Sequence, residues 1–385
     1  MARLADVPAP EVSFVIPCLN EESSIAAVVA EARRQLERMD VDGEVVVVDN
    51  ASEDASAERA TEAGARVVAE PRRGYGSAYL AGLAAAEGRF IVMTDADGSY
   101  DLTRVPEFVD ALRNGAELVL GSRFRGRIHP GAMPWSHRLI GNPALTGMLN
   151  LLFRAHVSDA HCGLRAIRKD AVDRLDLETT GMEFASEMVI KAAKRDLRIT
   201  EIPVDYRPRT GESKLNSVRD AWWHVRFMLV HSANWLFVVP GAVAVVVGLA
   251  TLVPFAADRD LGDPSWAVPV SILASFLVVV GAQVIQLGLF ARTYAALYLG
   301  DDEPFLESMW RRFRLEHGLA LGAATLVVGV VLALVSNFDG VPDPSLGLLG
   351  LTLIALGAQA IFGSFFLSIL GLSEHARLRR FTRDG

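Results

Sequence analysis

Residues Phe90–Asp101 read Phe-Ile-Val-Met-Thr-Asp-Ala-Asp-Gly-Ser-Tyr-Asp, an apolar run that stops at two carboxylates, Asp95 and Asp97. The run predicts a buried β-strand that delivers both carboxylates to its C-terminal end. In an α/β sheet that end is the open edge where ligands bind. Two hard oxygen ligands there suit Mg²⁺ or Mn²⁺, which keep waters and a substrate phosphate in their other positions. The same residues also suit a strand-to-helix turn with Asp as N-cap, so the surrounding chain has to decide.

On both sides of this stretch, strand and helix patterns alternate. Val12–Pro17 reads as a buried strand, Glu21–Met39 as an amphipathic helix and Glu44–Asp49 as a second strand closing on Asp49-Asn50-Ala51-Ser52-Glu53-Asp54. Arg66–Ala69 is strand-like, Gly74–Glu87 helical, Thr103–Arg113 helical and Glu117–Gly121 a further strand. Such alternation predicts a mostly parallel, Rossmann-like α/β sheet with right-handed crossovers. One rim of it would collect Asn20, Asp49, Asp95 and Asp97, and a nucleotide can lie along such a rim. Asp49 would accept hydrogen bonds from a base or ribose, or simply form a turn after its strand.

Gly74-Tyr75-Gly76 hints at a dinucleotide loop, but it follows the third strand and lacks a glycine three residues on, so that reading is set aside. Asp-x-Asp-Gly-Ser after an apolar strand also resembles the nucleophile motif of haloacid-dehalogenase-like phosphatases. That motif belongs on the first strand of its domain, whereas three strands precede this one.

The 385-residue chain carries a net charge of −8, which argues against a nucleic-acid partner. Near Trp235 its composition changes. Four long uncharged stretches follow, at about 235–257, 266–290, 319–338 and 346–372, each long enough to cross a bilayer. Met1–Ala9 is short and has no apolar core, so no secretory leader is expected. The loop between the second and third stretches holds Arg292, Arg311, Arg312 and Arg314, and the tail holds Arg377, Arg379, Arg380 and Arg383. The other two connections are acidic or nearly free of Lys and Arg. The positive-inside rule then places the soluble part, the middle loop and the tail on the cytoplasmic side of the cell membrane. Gly281-Ala282-Gln283-Val284-Ile285 recurs as Gly357-Ala358-Gln359-Ala360-Ile361, a pattern that two packed helical hairpins would produce and that chance similarity could also give. A glutamine inside a span is costly unless it bonds across helices or lines a polar cavity. These spans also leave room for homo-oligomer formation through the transmembrane segment.

Cys18 and Cys162 are too few and too far apart for a zinc site or disulfide framework and read as reduced thiols. Beyond Gly121, Arg123, Arg125, Arg127 and Arg138 fall in a stretch broken by Pro130, Gly131 and Pro134, which predicts loops. Asp159–Arg165 and Arg209–Lys214 add further cations. Loop arginines near a carboxylate cluster invite a phosphate-rich ligand bridged by metal, although Arg125 and Arg127 read better as solvent-exposed. From Asn216 to His231, Val218, Trp222, Val225 and Leu229 recur at helical spacing with Arg219 and Arg226 between them. That reads as a helix in the membrane interface, or as an ordinary packing helix.

In this order, Pro17-Cys18-Leu19-Asn20-Glu21, Val48–Asp54, Asp95-Ala96-Asp97, Gly121-Ser122-Arg123, Cys162-Gly163-Leu164-Arg165 and Arg209…Ser213-Lys214 resemble family-2 glycosyltransferases of GT-A fold. The resemblance is to the polyprenyl-phosphate sugar synthases, typified by dolichol-phosphate mannose and glucose synthases, and covers about Val12–Leu215. It implies a cytoplasmic GT-A domain over 1–215, an interfacial helix over 216–234, a four-helix transmembrane domain over 235–372 and a basic tail over 373–385. It further implies that Pro17, Asn20, Glu21 and Asp49 cradle a UDP or GDP sugar, and that Asp95 and Asp97 hold the metal on its diphosphate. Ser99 stands where many relatives carry Gln as a further metal ligand. Arg123 and Arg138 would hold the lipid phosphate, while Arg209 and Lys214 would face the donor phosphates or the acceptor. The reaction so implied is inverting transfer of glucose or mannose to a dolichyl or undecaprenyl phosphate. The alternative within the same family is transfer to a glycan hydroxyl, which needs an Asp base and usually a Gln-x-x-Arg-Trp signature that this chain lacks.

Overall fold

The computed structural model describes residues 9–211, 217–232, 234–257, 264–298, 315–336 and 344–381. It divides into two compact units, Met1–Met228 and Leu229–Gly385.

In the first unit the strands are β1 (Val12–Cys18), β2 (Gly43–Asp49), β3 (Arg66–Ala69), β4 (Phe90–Met93), β5 (Leu118–Ser122), β6 (Arg165–Arg168) and β7 (Ile199–Pro203). They form one sheet in the order β3-β2-β1-β4-β6-β5-β7. β1 to β4 run parallel, as alternation predicts, with Cys18 paired to Asp49 and Val15 to Met93. β6 runs antiparallel between β4 and β5, and β7 lies parallel to β5. The four residues of β6, Arg-Ala-Ile-Arg, are too few for a pattern that a sequence reading could separate from a loop.

The central strands are apolar on both faces because helices cover both. Phe14, Ile16, Val45, Val47, Phe90 and Val92 point into one core cluster, and Val15, Val46, Val48, Ile91 and Met93 into the other. This period-2 split of one apolar run between two cores is what a doubly covered sheet requires. Each such side chain contributes roughly 1.5–3 kcal/mol on burial. Helix α1 (Ile25–Met39) buries Ile25, Val28, Val29, Ala32 and Leu36 on one stripe. It starts later than its periodicity predicts because the Asn20, Glu21 and Glu22 amides are tied to Ser52, Ser56 and Asp54 instead.

The remaining helices of this unit are α2 (Ser56–Glu62), α3 (Tyr75–Ala85), α4 (Val105–Arg113), α5 (Asn142–Phe153), α6 (Lys169–Leu175), α7 (Phe184–Lys194) and α8 (Ser217–Val230). Three strands precede β4, which lies mid-sheet, unlike the first strand of a dehalogenase-like phosphatase.

The second unit contains α9 (Val239–Ala257), preceded by a π-helical turn at Asn234–Val238, then α10 (Pro264–Tyr298), α11 (Leu315–Val335) and α12 (Pro344–Phe381). Asn234–Ala257, Trp266–Tyr294, Leu315–Val335 and Pro344–Leu370 are long and apolar enough to cross a membrane. They pack as two hairpins, α9 with α10 and α11 with α12, and the second arms meet. The hairpins repeat each other contact by contact. A methyl on Gly241 would lie 2.7 Å from the Gly281 carbonyl and 2.7 Å from Ile285 Cγ1. One on Gly322 would lie 2.8 Å from the Gly357 carbonyl and 2.7 Å from Ile361 Cγ1. One turn pair further on, Gly248 and Gly329 press on Val278 and Ile354 in the same way. Small residues at these crossings let the backbones approach closely. Polar side chains join the hairpins: Ser271 to Ser345 at 3.1 Å, Ser275 to Thr352 at 2.6 Å, and Gln286 Nε2 to the Gln359 carbonyl at 2.8 Å.

Candidate active site

Parallel pairing brings the C-terminal ends of β1, β2 and β4 to one edge of the sheet. The loops after β1 and β2 are zipped together there. Asn20 adopts the left-handed conformation (φ 50°), its amide donates to Ser52 Oγ at 3.0 Å, and its Oδ1 accepts from the Glu53 amide at 2.7 Å. Asn is among the few side chains that visit this region readily. The Glu21 amide donates to Ser56 Oγ at 2.7 Å, and Asp49 Oδ1 accepts from the Ser52 amide at 3.2 Å. Pro17 is the penultimate residue of β1, paired with Val48. Pro17, Asn20 and Glu21 therefore share one rim with Asp49, which comes from the next strand.

β4 stops at Met93, and Asp95 and Asp97 follow on the turn. Asp97 is 6% exposed, and its Oδ1 accepts from the Ser99 amide at 3.0 Å. Gly98, at φ +72°, closes that turn in a conformation L side chains avoid. Ser99 is fully buried. Asp95 Oδ1 accepts from the Tyr75 hydroxyl at 3.3 Å. Burial, followed by the charge of Asp97, pushes the Asp95 carboxyl up to about 7. Two carboxylates side by side at the strand end, one of them with its pKa raised by burial and its neighbour, fit a hard divalent cation. Among the described residues no cluster of three His, Cys, Asp or Glu side chains could hold a metal ion, so beyond the two carboxylates the ligands would be drawn from Ser99, phosphate oxygens and water.

The segment after β7 lies over this turn. The Arg207 amide donates to the Ser99 carbonyl at 2.8 Å and the Thr210 amide to the Asp97 carbonyl at 3.0 Å. Arg209 Nη2 consequently reaches Glu21 Oε1 and Asp97 Oδ2, both at 3.5 Å. Lys214 lies outside the described residues.

The other predicted cations are placed differently from expectation. Arg123 is not on an open loop: it is 6% exposed and forks onto Asp159, with Nε–Oδ2 at 2.7 Å and Nη2–Oδ1 at 2.8 Å. Its guanidinium also lies 5.3 Å from the centre of the Tyr206 ring. Its side chain fastens the segment before β6 to the end of β5. Arg165 is also buried, donating to the carbonyls of Cys162, Ala185 and Ala160. Arg138 is exposed, but it sits on a π-helical turn, His137–Gly141, that leads into α5 rather than on a loop. Trp135, Leu139 and Ile140 around it are 70%, 68% and 59% exposed, an apolar surface with a cation in its midst.

Several residues quoted above only as members of motifs turn out to hold the site in place. Asn50 staples the rim, donating to the Glu70 and Arg72 carbonyls and accepting from the Gly74 amide. Gly74 and Gly76 are glycines because the backbone of Thr179 and Thr180 crosses them, with carbonyls 2.3 Å and 2.1 Å from where their Cβ atoms would be. Gly163 passes so close to Asp95 that a Cβ would stand 2.6 Å from Oδ2.

His161 Nε2 meets Ser186 Oγ at 3.1 Å, and that hydroxyl meets His224 Nδ1 on α8 at 2.8 Å. Burial holds both imidazoles below their ordinary range, His224 at about 4. The unfolded chain takes up protons near pH 6.5 while the folded form resists them. Stability should therefore be full above pH 6.5 and fall as the pH drops toward 4, by up to roughly 1.4 kcal/mol per pH unit for each histidine. Thermal unfolding of His224→Asn between pH 4.5 and 7.5 should show a shallower slope than wild type. An unchanged slope would remove this pair as its cause.

Residues 13–176 match the family described as Glycosyl transferase family 2, and residues 289–371 match the Glycosyltransferase family 2 C-terminal transmembrane region. The chain is 38% identical to the low-salt glycan biosynthesis hexosyltransferase Agl6 of Haloferax volcanii, an alignment spanning 94% of this chain and 90% of that one. It is 35% identical to a dolichyl-phosphate hexose transferase of the same organism, over 54% of this chain and 87% of the other. A dolichol-phosphate mannosyltransferase of Pyrococcus furiosus is 28% identical over 53% of this chain and 59% of its own length.

Proposed function

Since this chain belongs to glycosyl transferase family 2 and is a multi-pass membrane glycosyltransferase, we propose that it transfers a hexose from a UDP or GDP sugar to a polyprenyl phosphate. The observation that carries this reading is the meeting of Glu21, Asp97 and Arg209, from three parts of the chain, at the strand ends that also bear Asp49 and Asp95. Such a rim can take a nucleoside along Pro17, Asn20 and Asp49 and a diphosphate beside Asp95 and Asp97. Relatives named for dolichyl phosphate and an apolar, Arg138-bearing turn on the same unit favour a lipid phosphate as acceptor over a glycan hydroxyl.

The acceptor phosphate is anionic near neutral pH and needs no strong base to become a nucleophile. The chain's task is alignment: Arg138 takes the acceptor phosphate, the rim fixes the sugar nucleotide, and attack occurs in line at C1. Arg209 and Lys214 offset charge on the departing nucleotide diphosphate. Asp95 and Asp97 would hold a Mg²⁺ or Mn²⁺ whose chemistry is to neutralise the same leaving group. One displacement inverts the anomeric centre, so an α-linked donor gives a β-linked lipid phosphosugar. By the distribution of arginines, the catalytic unit and C-terminus face the cytoplasm.

Full-length protein incubated with a panel of UDP and GDP sugars and polyprenyl phosphate should form a lipid phosphosugar with one of them. Product that appears only with a glycan hydroxyl acceptor would overturn the lipid reading. Arg138→Ala should remove a charge-assisted contact of roughly 1.5–3 kcal/mol. The KM for polyprenyl phosphate should rise while that for the nucleotide sugar stays put. Equal damage to both would move Arg138 to the donor side.

A further inference from the structure

Arg209 lies against the candidate metal carboxylates. Its Nη2 stands 3.5 Å from both Asp97 Oδ2 and Glu21 Oε1, so one guanidinium edge bridges a carboxylate of the β4 turn and one of the rim. Its backbone is held there, because the neighbouring Thr210 amide is fixed to the Asp97 carbonyl and the Arg207 amide to the Ser99 carbonyl. Only the side chain is left to move. Its Nε is buried and, among the described residues, has no acceptor. The carboxylate side has the converse shortfall: among the described residues no third acidic, His or Cys ligand completes a cage for a free cation.

We infer that Arg209 makes the site selective for a divalent cation delivered as its nucleoside-diphosphate complex over the free cation. This rests on the transferase reading above. A free cation approaching Asp97 meets a resident positive charge and must break two ion pairs without offering the guanidinium another anion. A diphosphate supplies that anion. Its oxygens can take Nη2 and the open Nε in a charge-assisted fork, which draws the guanidinium off Asp97 as the cation arrives. Cation and nucleotide should thus bind with positive coupling, and each should raise the affinity for the other by the same factor. The device keeps the buried carboxylates partly neutralised while the site is empty and restricts the cation to the state in which there is a leaving group to stabilise.

The test is calorimetric titration of Mn²⁺ into detergent-solubilised full-length protein, with and without UDP or GDP, for wild type, Arg209→Gln and Arg209→Lys. Removing a like charge from the site should tighten Mn²⁺ binding in the absence of nucleotide by roughly tenfold in Arg209→Gln. The enhancement of Mn²⁺ affinity by nucleotide should shrink in the same variant. Arg209→Lys, which keeps the charge, should stay close to wild type without nucleotide. Circular dichroism of the variants establishes that they fold. If Arg209→Gln binds free Mn²⁺ no more tightly than wild type, while nucleotide still promotes Mn²⁺ binding, the selective role of Arg209 is wrong and the metal site stands. If no protein binds Mn²⁺ even with nucleotide, the metal reading of Asp95 and Asp97 falls, and this inference with it.

Discussion

Replacing Asp97 by asparagine is expected to lower sugar transfer by at least on the order of a hundredfold while the fold survives. The amide keeps an oxygen for the Ser99 N–H, which Asp97 Oδ1 now accepts at 3.0 Å, so the turn at Gly98 retains its bond. What disappears is the negative charge that faces Arg209 and would face a cation. Transfer rate and thermal unfolding should therefore separate, the first collapsing and the second barely moving. EDTA-treated wild type should lose activity in parallel and regain it with Mg²⁺ or Mn²⁺. If both the variant and the treated enzyme keep full activity, these carboxylates serve the turn and not the chemistry.

Asp159→Ala should produce the largest loss of stability. Asp159 is fully buried and receives both arms of the Arg123 fork as well as the Arg123 amide. Removing it strands a guanidinium in the interior, at a cost of about 3–5 kcal/mol. For a unit of this size that is a drop in Tm on the order of 10 °C, readable by differential scanning fluorimetry. Replacing both partners by apolar residues, as in Arg123→Met with Asp159→Leu, should recover much of the loss, since a buried ion pair and an apolar pair are often nearly equivalent. The double variant also decides what Arg123 is for. Recovered stability with recovered transfer makes it a fastener of the segment before β6. Recovered stability without transfer gives it a role toward the acceptor phosphate.

The first strands and the membrane spans were legible because their signals are local. Val45–Val48 and Phe90–Met93 are apolar runs that only burial can explain, the first followed by Asp49 and the second by Thr94-Asp95. The four spans announce themselves by length alone, and the recurrence of Gly-Ala-Gln marks the positions where each hairpin's helices touch. The acidic pair was likewise visible, because two carboxylates directly after such a strand have one edge to occupy. Lys214 was singled out on its sequence and lies where the structure describes nothing.

The partnerships of the charged groups could not be read in the chain. Arg123, Arg138, Arg165 and Arg209 look alike in sequence: arginines among glycines and prolines in an acidic protein. Tertiary structure separates them. β6 enters the sheet antiparallel, which buries Arg165 among carbonyls and brings Asp159 under Arg123. The segment after β7 crosses the β4 turn, so Arg209 meets Asp97, a residue more than a hundred positions away. Arg138 remains outside on an apolar turn. By itself the sequence determined which segments must be buried, because hydrophobic burial depends on local composition and period. Tertiary structure alone decided which arginine faces the ligand rim, because a charge takes its partner from whatever the fold brings within a few ångströms, and that distance is set by chain topology.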